Sequence, residues 1–462
     1  MTEPLPEKAS MTTYHVADLV TLLHGDASET LRQMPSQSVH CVITSPPYWS
    51  LRNYHVDGQI GLEPTIEEYV AKLVAVFQGV RRVLRDDGLC FVNLGDSYAS
   101  QGGHTTSENN GGIRDGRSND LERQQMKGVY GPSQGLKPLD LCNIPHRVAQ
   151  ALQADGWYWR DTWHWIKRSP MPESVSGARW ERHRAKAAAA PKDSPKYNNR
   201  NRDTVGYMAT DGSQPEAMWQ SCPGCAVCTY SDQPQRNGWV LRRGSWRYTS
   251  AVEYVFMFAK QPGYTAFQEQ VREQPSQISL DRYQRGSSYD GTKPYAMANP
   301  PRGNVGGASP RNYALLSSEP SSEPHYAAFP QALVEPFIRA ATSDRGVCST
   351  CGAQWAPVVE YKNMVIARSE YAGNSGNRSA SSGTMVEEAE TNILDYWPSC
   401  MCPPQATVPA TVLDIFVGSG TTCIAARRLG RWSIGIDLSA DYLDIAVRRL
   451  ANEKNRQAEM MV

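Results

Sequence analysis

The feature that most constrains this chain is a strand, a glycine loop and a helix in direct succession. Val412–Phe416 reads as the strand, Val417-Gly418-Ser419-Gly420-Thr421-Thr422 as the loop, and Cys423–Leu429 as the helix. Glycines at such a junction let a ligand approach the backbone, and the helix start supplies oriented N–H groups. Trp432–Asp437 reads as the next strand and Asp441–Leu450 as the next helix. A repeating strand–helix unit buries its apolar faces in a mainly parallel sheet with helices packed on it. Asp437 ends its strand roughly where dinucleotide-type folds keep the carboxylate that binds ribose hydroxyls. The third glycine of the dinucleotide fingerprint is absent, and Cys423 stands in its place. Pyrophosphate is therefore not the obvious ligand. A nucleoside without phosphates fits better, and S-adenosyl-L-methionine (SAM) is the common one.

The same alternation fills the first part of the chain. Residues 1–12 read as a loose tail. Leu19–Leu23 reads as a strand running into His24-Gly25-Asp26, Ala27–Met34 as a short helix and Val39–Ile43 as a buried strand. Apolar residues at helical spacing cover Thr65–Leu84, and Asp86-Asp87-Gly88 stops that helix before the strand Leu89–Leu94. A helix is expected around Pro145–Ala154, with strands at Trp157–Ile166 and Ser250–Lys260 and a further helix at 332–341. The strand Val39–Ile43 stops at Thr44-Ser45-Pro46-Pro47-Tyr48. Each proline fixes φ and removes an N–H, and each forces its predecessor into extended geometry. The result is a stiff lip. It holds a hydroxyl, carbonyls and an aromatic (Tyr48, with Trp49 beside it) in one place. Such a lip can accept hydrogen bonds from an amine while a ring stacks on the group carrying it. A Pro-rich turn with a packed tyrosine is the other reading of these five residues alone.

Of 462 residues, Lys plus Arg number 47 and Asp plus Glu number 47. A nucleic-acid partner would therefore meet a local basic surface, not a globally basic protein. Mean hydropathy is −0.52, and no apolar run of about 18 residues is present, so no membrane span is expected. No signal-peptide pattern opens the sequence, and a cytoplasmic setting is expected. The 11 cysteines are clustered in a way that favours metal over disulfides. Cys348-x2-Cys351 with Cys400-x-Cys402 could form a tetrahedral zinc site; four reduced structural cysteines are the alternative. Cys222, Cys225 and Cys228 form a second candidate set without a clear fourth ligand.

Between 170 and 320 the character changes. Arg179–Lys186 reads as a basic, helix-like segment, either a solvated face or a DNA contact through Arg179, Arg182, Arg184 and Lys186. Residues 99–135 and 274–324 read as loops, the second interleaving Arg282, Arg285, Arg302 and Arg311 with tyrosines. That mixture suits phosphate contact and base stacking.

Ile43-Thr44-Ser45-Pro46-Pro47-Tyr48 resembles the motif of amino-methylating DNA methyltransferases in its cytosine-N4 form, and Asp414–Thr422 resembles their SAM-binding motif. Ile415 departs from the family's usual proline. His325–Pro330 is similar to the motif beside the methionine end of SAM. The lip precedes the SAM motif, the circularly permuted order of the β class. The resemblance implies a Rossmann-like SAM-dependent methyltransferase fold: an α/β, mostly parallel sheet of the seven-stranded type. The catalytic half would span 13–174, and a target-recognition insert 175–324, with 246–260 returning to the sheet. A SAM-binding half would span 325–341 and 406–455, and a zinc-binding insert 342–405. It implies Ser45, Pro46, Pro47 and Tyr48 as catalytic residues. It implies Thr44, Phe329, Pro330, Asp414, Phe416, Gly418, Ser419, Gly420, Thr421, Thr422 and Asp437 around SAM. Asp26 is a candidate for the adenine amine of SAM, with an Asx turn as its other role. The expected partner is double-stranded DNA with a flipped base, alongside a cognate restriction endonuclease. Cytosine N4 is the expected target because Ser45 stands where adenine-N6 enzymes mostly carry Asp or Asn. Adenine N6, and a non-catalytic zinc-containing DNA-binding protein on the same scaffold, are the alternatives.

Overall fold

A computed structural model describes residues 12–49, 53–54, 56–99, 135–137, 139–170, 177–182, 184–186, 219–221, 235–236, 239–242, 244–273, 309–317, 329–362, 365–368, 383–387, 390–403 and 406–460. Nine described strands form the main sheet: β1 (Thr12–Ala17), β2 (Val20–His24), β3 (Val39–Thr44), β4 (Leu84–Leu94), β5 (Tyr158–Lys167), β6 (Val252–Ala259), β7 (Tyr313–Leu316), β8 (Thr411–Asp414) and β9 (Trp432–Asp437). Their spatial order is β1-β2-β9-β8-β3-β4-β6-β5-β7. The run from β2 to β4 is parallel, whereas β6 lies antiparallel between β4 and β5. The sheet is thus mixed and mostly parallel. With nine described strands it is larger than the seven-stranded type expected, β1 and β7 forming its two edges.

All six residues of β3 are buried, as expected of a central parallel strand covered on both faces. On one face lie α1 (Ala27–Gln33), α2 (Ile66–Val83) and α3 (Ile144–Ala154), sharing one core with β3 and β4. The Thr65 hydroxyl caps α2 by accepting the Glu68 N–H at 3.2 Å. The helix then buries Ile66, Tyr69, Leu73, Val76, Phe77, Val80 and Val83. At roughly 1.5–3 kcal/mol per large apolar side chain, this stripe dominates that layer. On the other face α4 (Gln331–Ala341) and α5 (Thr421–Arg428) pack against β3, β4 and β8. Helix α6 (Ala440–Met460) follows β9.

The chain leaves β8 through α5 to β9 on one side and β3 through α2 to β4 on the other. The direction of winding therefore reverses between β8 and β3, where Val412 pairs with Cys41 and Leu413 with Val42. Open α/β sheets bind ligands at the carboxyl ends of strands at such a point.

Residues Pro170–Ser250 form a separate compact unit. The segment read as a basic helix is two strands instead: Arg179–Arg182 pairs with Trp239–Arg242, and Arg184–Lys186 with Trp219–Ser221. Cross-strand pairing overrides the local Ala- and Arg-rich helix propensity. Two further expectations change. Strand β4 begins at Leu84, with Asp86-Asp87-Gly88 inside it, and β7 lies within the stretch read as loop. Residues 100–134 and 274–308, also read as loop, lie outside the described residues. Among those residues no helix is long and apolar enough to cross a membrane.

Candidate active site

Beyond β3 the chain enters the proline lip, and beyond β8 the glycine loop; both line one cleft. Its empty volume, open mouth included, is about 1130 Å³. Of the residues singled out in the sequence, Asp26, Ser45, Pro46, Pro47, Tyr48, Phe329, Phe416, Gly418, Ser419, Thr421 and Asp437 line it. Thr44, Pro330, Asp414, Gly420 and Thr422 do not.

The lip is held from behind. Pro47's carbonyl accepts the Tyr69 hydroxyl at 2.8 Å, so it is already engaged. Trp49 is only 4% exposed and donates to the Glu63 carbonyl at 2.9 Å. It belongs to the core behind the lip. Tyr48 donates to Glu253 Oε2 at 2.7 Å. Asn93 Nδ2 donates to the Tyr48 oxygen at 3.0 Å, to Glu253 Oε2 at 3.1 Å and, more loosely, to Ser45 Oγ at 3.4 Å. Lys167 neutralises Glu253 through its other oxygen. Burial, and then the Glu253 charge, push the Tyr48 phenol well above its usual pKa, so it remains a donor. A Cβ on Gly95 would lie 2.6 Å from Tyr48 Cε2, so the ring rests against bare backbone there. The partners around the Tyr48 hydroxyl come from β4 (Asn93), β5 (Lys167) and β6 (Glu253), and no spacing rule links them to the lip.

The glycine loop is fixed by two carboxylates. Asp414, 1% exposed, accepts the Phe416 N–H at 3.1 Å and the Thr422 hydroxyl at 2.6 Å. It braces the loop from behind. Asp437 reaches forward: Oδ2 accepts the Gly418 N–H and Oδ1 the Ser439 N–H, both at 2.8 Å. A carboxylate has about four acceptor sites, so these backbone donors leave acceptor capacity, and the carboxyl lines the cleft. Burial pushes both acids up to about 6. Gly418 and Gly420 have φ of +50° and +81°. At Gly420 a Cβ would lie 2.9 Å from Ala446 Cβ, so this glycine serves helix packing as well as the turn. Arg449 donates to the Ser419 carbonyl and hydroxyl at 2.7 Å and to Thr421 Oγ1 at 3.0 Å, closing the loop from α6.

Asp26 Oδ1 accepts the Glu29 N–H at 3.0 Å and caps α1. Its side chain therefore has the local turn role while also lining the cleft. Tyr54, Ile60 and Tyr442 complete the wall, with Tyr54 and Tyr442 edge to face at 5.8 Å. Sequence reasoning missed them because they belong to no motif. A buried carboxylate with spare lone pairs, glycine N–H groups and an aromatic wall suit a nucleoside bearing free hydroxyls.

The sulfur atoms of Cys348, Cys351, Cys400 and Cys402 all lie within 4.8 Å of one another. Cys222, Cys225 and Cys228 lie outside the described residues, as do the side chains of Arg182, Arg184 and Lys186. Arg179 is exposed on its strand.

A family model described as DNA methylase, for N6/N4 methyltransferases, matches residues 39–349 and 406–448. Type II methyltransferase M.Cfr9I of Citrobacter freundii is 46% identical over 157 residues, 34% of this chain and 49% of that protein. M.SmaI of Serratia marcescens is 37% identical over 224 residues, 44% of this chain and 73% of that protein. The chain thus spans about half the length of M.Cfr9I and more of M.SmaI. The solved PvuII DNA methyltransferase (cytosine-N4-specific) aligns over 95% of this chain and 92% of its own, with 15% identity and a TM-score of 0.41. With most of its length matched by the family model, lip and glycine loop included, the chain belongs to the N6/N4 DNA methylase family.

Proposed function

We propose that this chain is a site-specific DNA methyltransferase that moves a methyl group from SAM to the exocyclic N4 amine of cytosine. The observation that carries the reading is the shared cleft, lined by Ser45–Tyr48 and by Phe416–Ser419 from neighbouring strand ends. When bound, SAM supplies a methyl group already activated on a sulfonium. The amine is a poor nucleophile because its lone pair is delocalised into the ring, so orientation and charge stabilisation are what the chain must provide. The Ser45 hydroxyl and the Pro46 carbonyl are suited to accept the two amine hydrogens, favouring a tetrahedral nitrogen whose lone pair is withdrawn from conjugation with the ring and aimed at the methyl group. Tyr48, fixed at its hydroxyl by Glu253 and Asn93, offers a ring on which the base can stack. Asp437 offers its spare lone pairs to the ribose hydroxyls of the cofactor. The target base has to leave the duplex to reach the lip.

The order of lip before glycine loop supports the permuted β class. The type II relatives support a restriction–modification setting with a cognate endonuclease, and Arg179–Lys186 is offered as part of the DNA contact. Ser45 supports cytosine over adenine as the target. DNA methylated by the purified chain, digested to nucleosides and analysed by mass spectrometry, should contain N4-methyl-2′-deoxycytidine. Finding N6-methyl-2′-deoxyadenosine alone overturns the choice of base, and finding no methylated nucleoside overturns the activity.

A further inference from the structure

The family match breaks off at residue 349 and resumes at 406. The arm between carries three of the four clustered thiols and is not accounted for by the family. Two antiparallel ladders bring its ends together. Val347–Cys348 pairs with Thr407–Val408, and Trp355–Lys362 pairs with Glu390–Pro398, with Trp355 opposite Pro398. Ser399 N–H donates to the Gln354 carbonyl at 3.0 Å between them. The ladders therefore bring together two cysteine pairs that are far apart in sequence, so a metal ion need not hold this long loop closed alone.

The first pair sits on a tight turn. The Cys348 N–H donates to the Ala353 carbonyl and the Gly352 N–H to the Cys348 carbonyl, each at 2.8 Å, with Gly352 at φ +71°. That turn docks on the main sheet. His40 on β3 receives the Thr411 N–H at Nδ1 (3.0 Å), which fixes its tautomer and leaves Nε2 to donate to the Gly352 carbonyl at 2.9 Å. Arg85 on β4 donates to the Cys351 carbonyl at 2.8 Å. His40 and Arg85 lie near the amino ends of β3 and β4, at the opposite end of these strands from the proline lip.

We propose that Cys348, Cys351, Cys400 and Cys402 bind one zinc ion as four thiolates, and that the resulting knuckle staples the arm to the amino ends of β3, β4 and β8. In a tetrahedral site with Zn–S near 2.3 Å the sulfurs stand about 3.8 Å apart. Sulfurs already within 4.8 Å need only a small contraction. Zinc displaces the thiol protons to solvent, and no oxidant or reductant is required.

The test uses the full chain, expressed with added zinc and purified under reducing conditions. Metal analysis should find one equivalent of zinc held by this site. Cys351→Ser together with Cys402→Ser should lose that equivalent, whereas Cys222→Ser with Cys225→Ser and Cys228→Ser should keep it. Cobalt exchanged into the wild-type chain should give the intense near-600–750 nm bands and sulfur charge-transfer absorption of a four-thiolate tetrahedral site. This measurement does not depend on any variant folding. A wild-type chain free of zinc, an unchanged zinc content in the Cys351/Cys402 variant, or alkylation mass spectrometry finding these four cysteines as disulfides overturns the proposal. None of these readouts depends on methyl transfer.

Discussion

Ser45, just past β3, and Asp437, at the end of β9, line one cleft, and the proposed function gives them separate tasks, methyl transfer and cofactor binding. If Ser45 positions the amine, Ser45→Ala should reduce methyl transfer by about 100-fold or more, the scale of losing one preorganised polar partner. SAM affinity by calorimetry should stay within about twofold. Asp437→Ala should do the reverse, weakening SAM binding by about 10-fold or more, because hydrogen bonds to a charged group contribute about 1.5–3 kcal/mol. The acids also set a pH dependence. Burial raises Asp414 from 3.8 to about 6, so the folded chain holds this proton more tightly than the unfolded one. That contribution to stability is complete below about pH 4 and is lost as pH rises through about 6. His40, lowered by burial to about 4, acts in the opposite sense. Comparing Asp414→Asn with wild type cancels it. In urea unfolding, the variant should gain up to about 3 kcal/mol relative to wild type between pH 4 and pH 8. A pH-independent difference would mean that Asp414 does not carry a raised pKa.

At the scale of elements, the site depends on packing that a sequence motif does not display. Gly95 leaves room for the Tyr48 ring, and an added Cβ would stand 2.6 Å from it. Gly95→Ala should shift the tyrosine, cost about 1–3 kcal/mol in stability and lower the transfer rate more than it weakens SAM binding. Single-turnover kinetics beside calorimetry would check this. The lip, the glycine loop and the acid ending β9 were legible in the sequence because each joins a buried strand to a turn with strict backbone demands. Helix α2 was legible too, since it keeps its apolar stripe over the whole length, whereas α6 runs on to Met460, past its expected end at Leu450. The edge strands were not: no residue of β1 or β7 is buried, and neither Thr12–Ala17 nor Tyr313–Leu316 alternates apolar with polar residues in sequence. The Tyr48–Asn93–Glu253–Lys167 chain was equally hidden, because it joins polar residues brought together only by the order β3-β4-β6-β5. Arg179–Lys186 misled for a related reason, its strand partners lying more than thirty residues downstream in sequence.

At the scale of the whole molecule, the Pro170–Ser250 unit grows out of a hairpin. Strands β5 and β6 are antiparallel neighbours, with Ile166 paired to Val252 and the Lys167 N–H bonded to the Ala251 carbonyl at 2.8 Å. The insert therefore leaves and returns at adjacent points. Replacing 170–250 by a two- to four-residue turn of the kind that joins hairpins should preserve the main sheet. On the proposed reading, the shortened chain should bind SAM within about threefold of the full chain yet lose sequence-selective DNA binding in a gel-shift competition. Loss of SAM binding would mean that the unit supports the core instead.

The strand order has a consequence for how the chain is made. Strands β2 and β3, early in the sequence, do not touch; β9 and β8 fill the space between them, and Thr411 reaches His40 from 371 residues further along. While a ribosome is still extending the chain, the nascent sheet has a two-strand gap at its centre, bordered by two bare edges. Bare edges invite pairing with other chains, and contacts this distant in sequence form slowly. A newborn chain carries the lip for most of its synthesis, but it has no glycine loop opposite that lip until residues 411–437 have emerged and closed the gap. Completion of the cleft is therefore timed to the last strands threaded into the middle of the sheet.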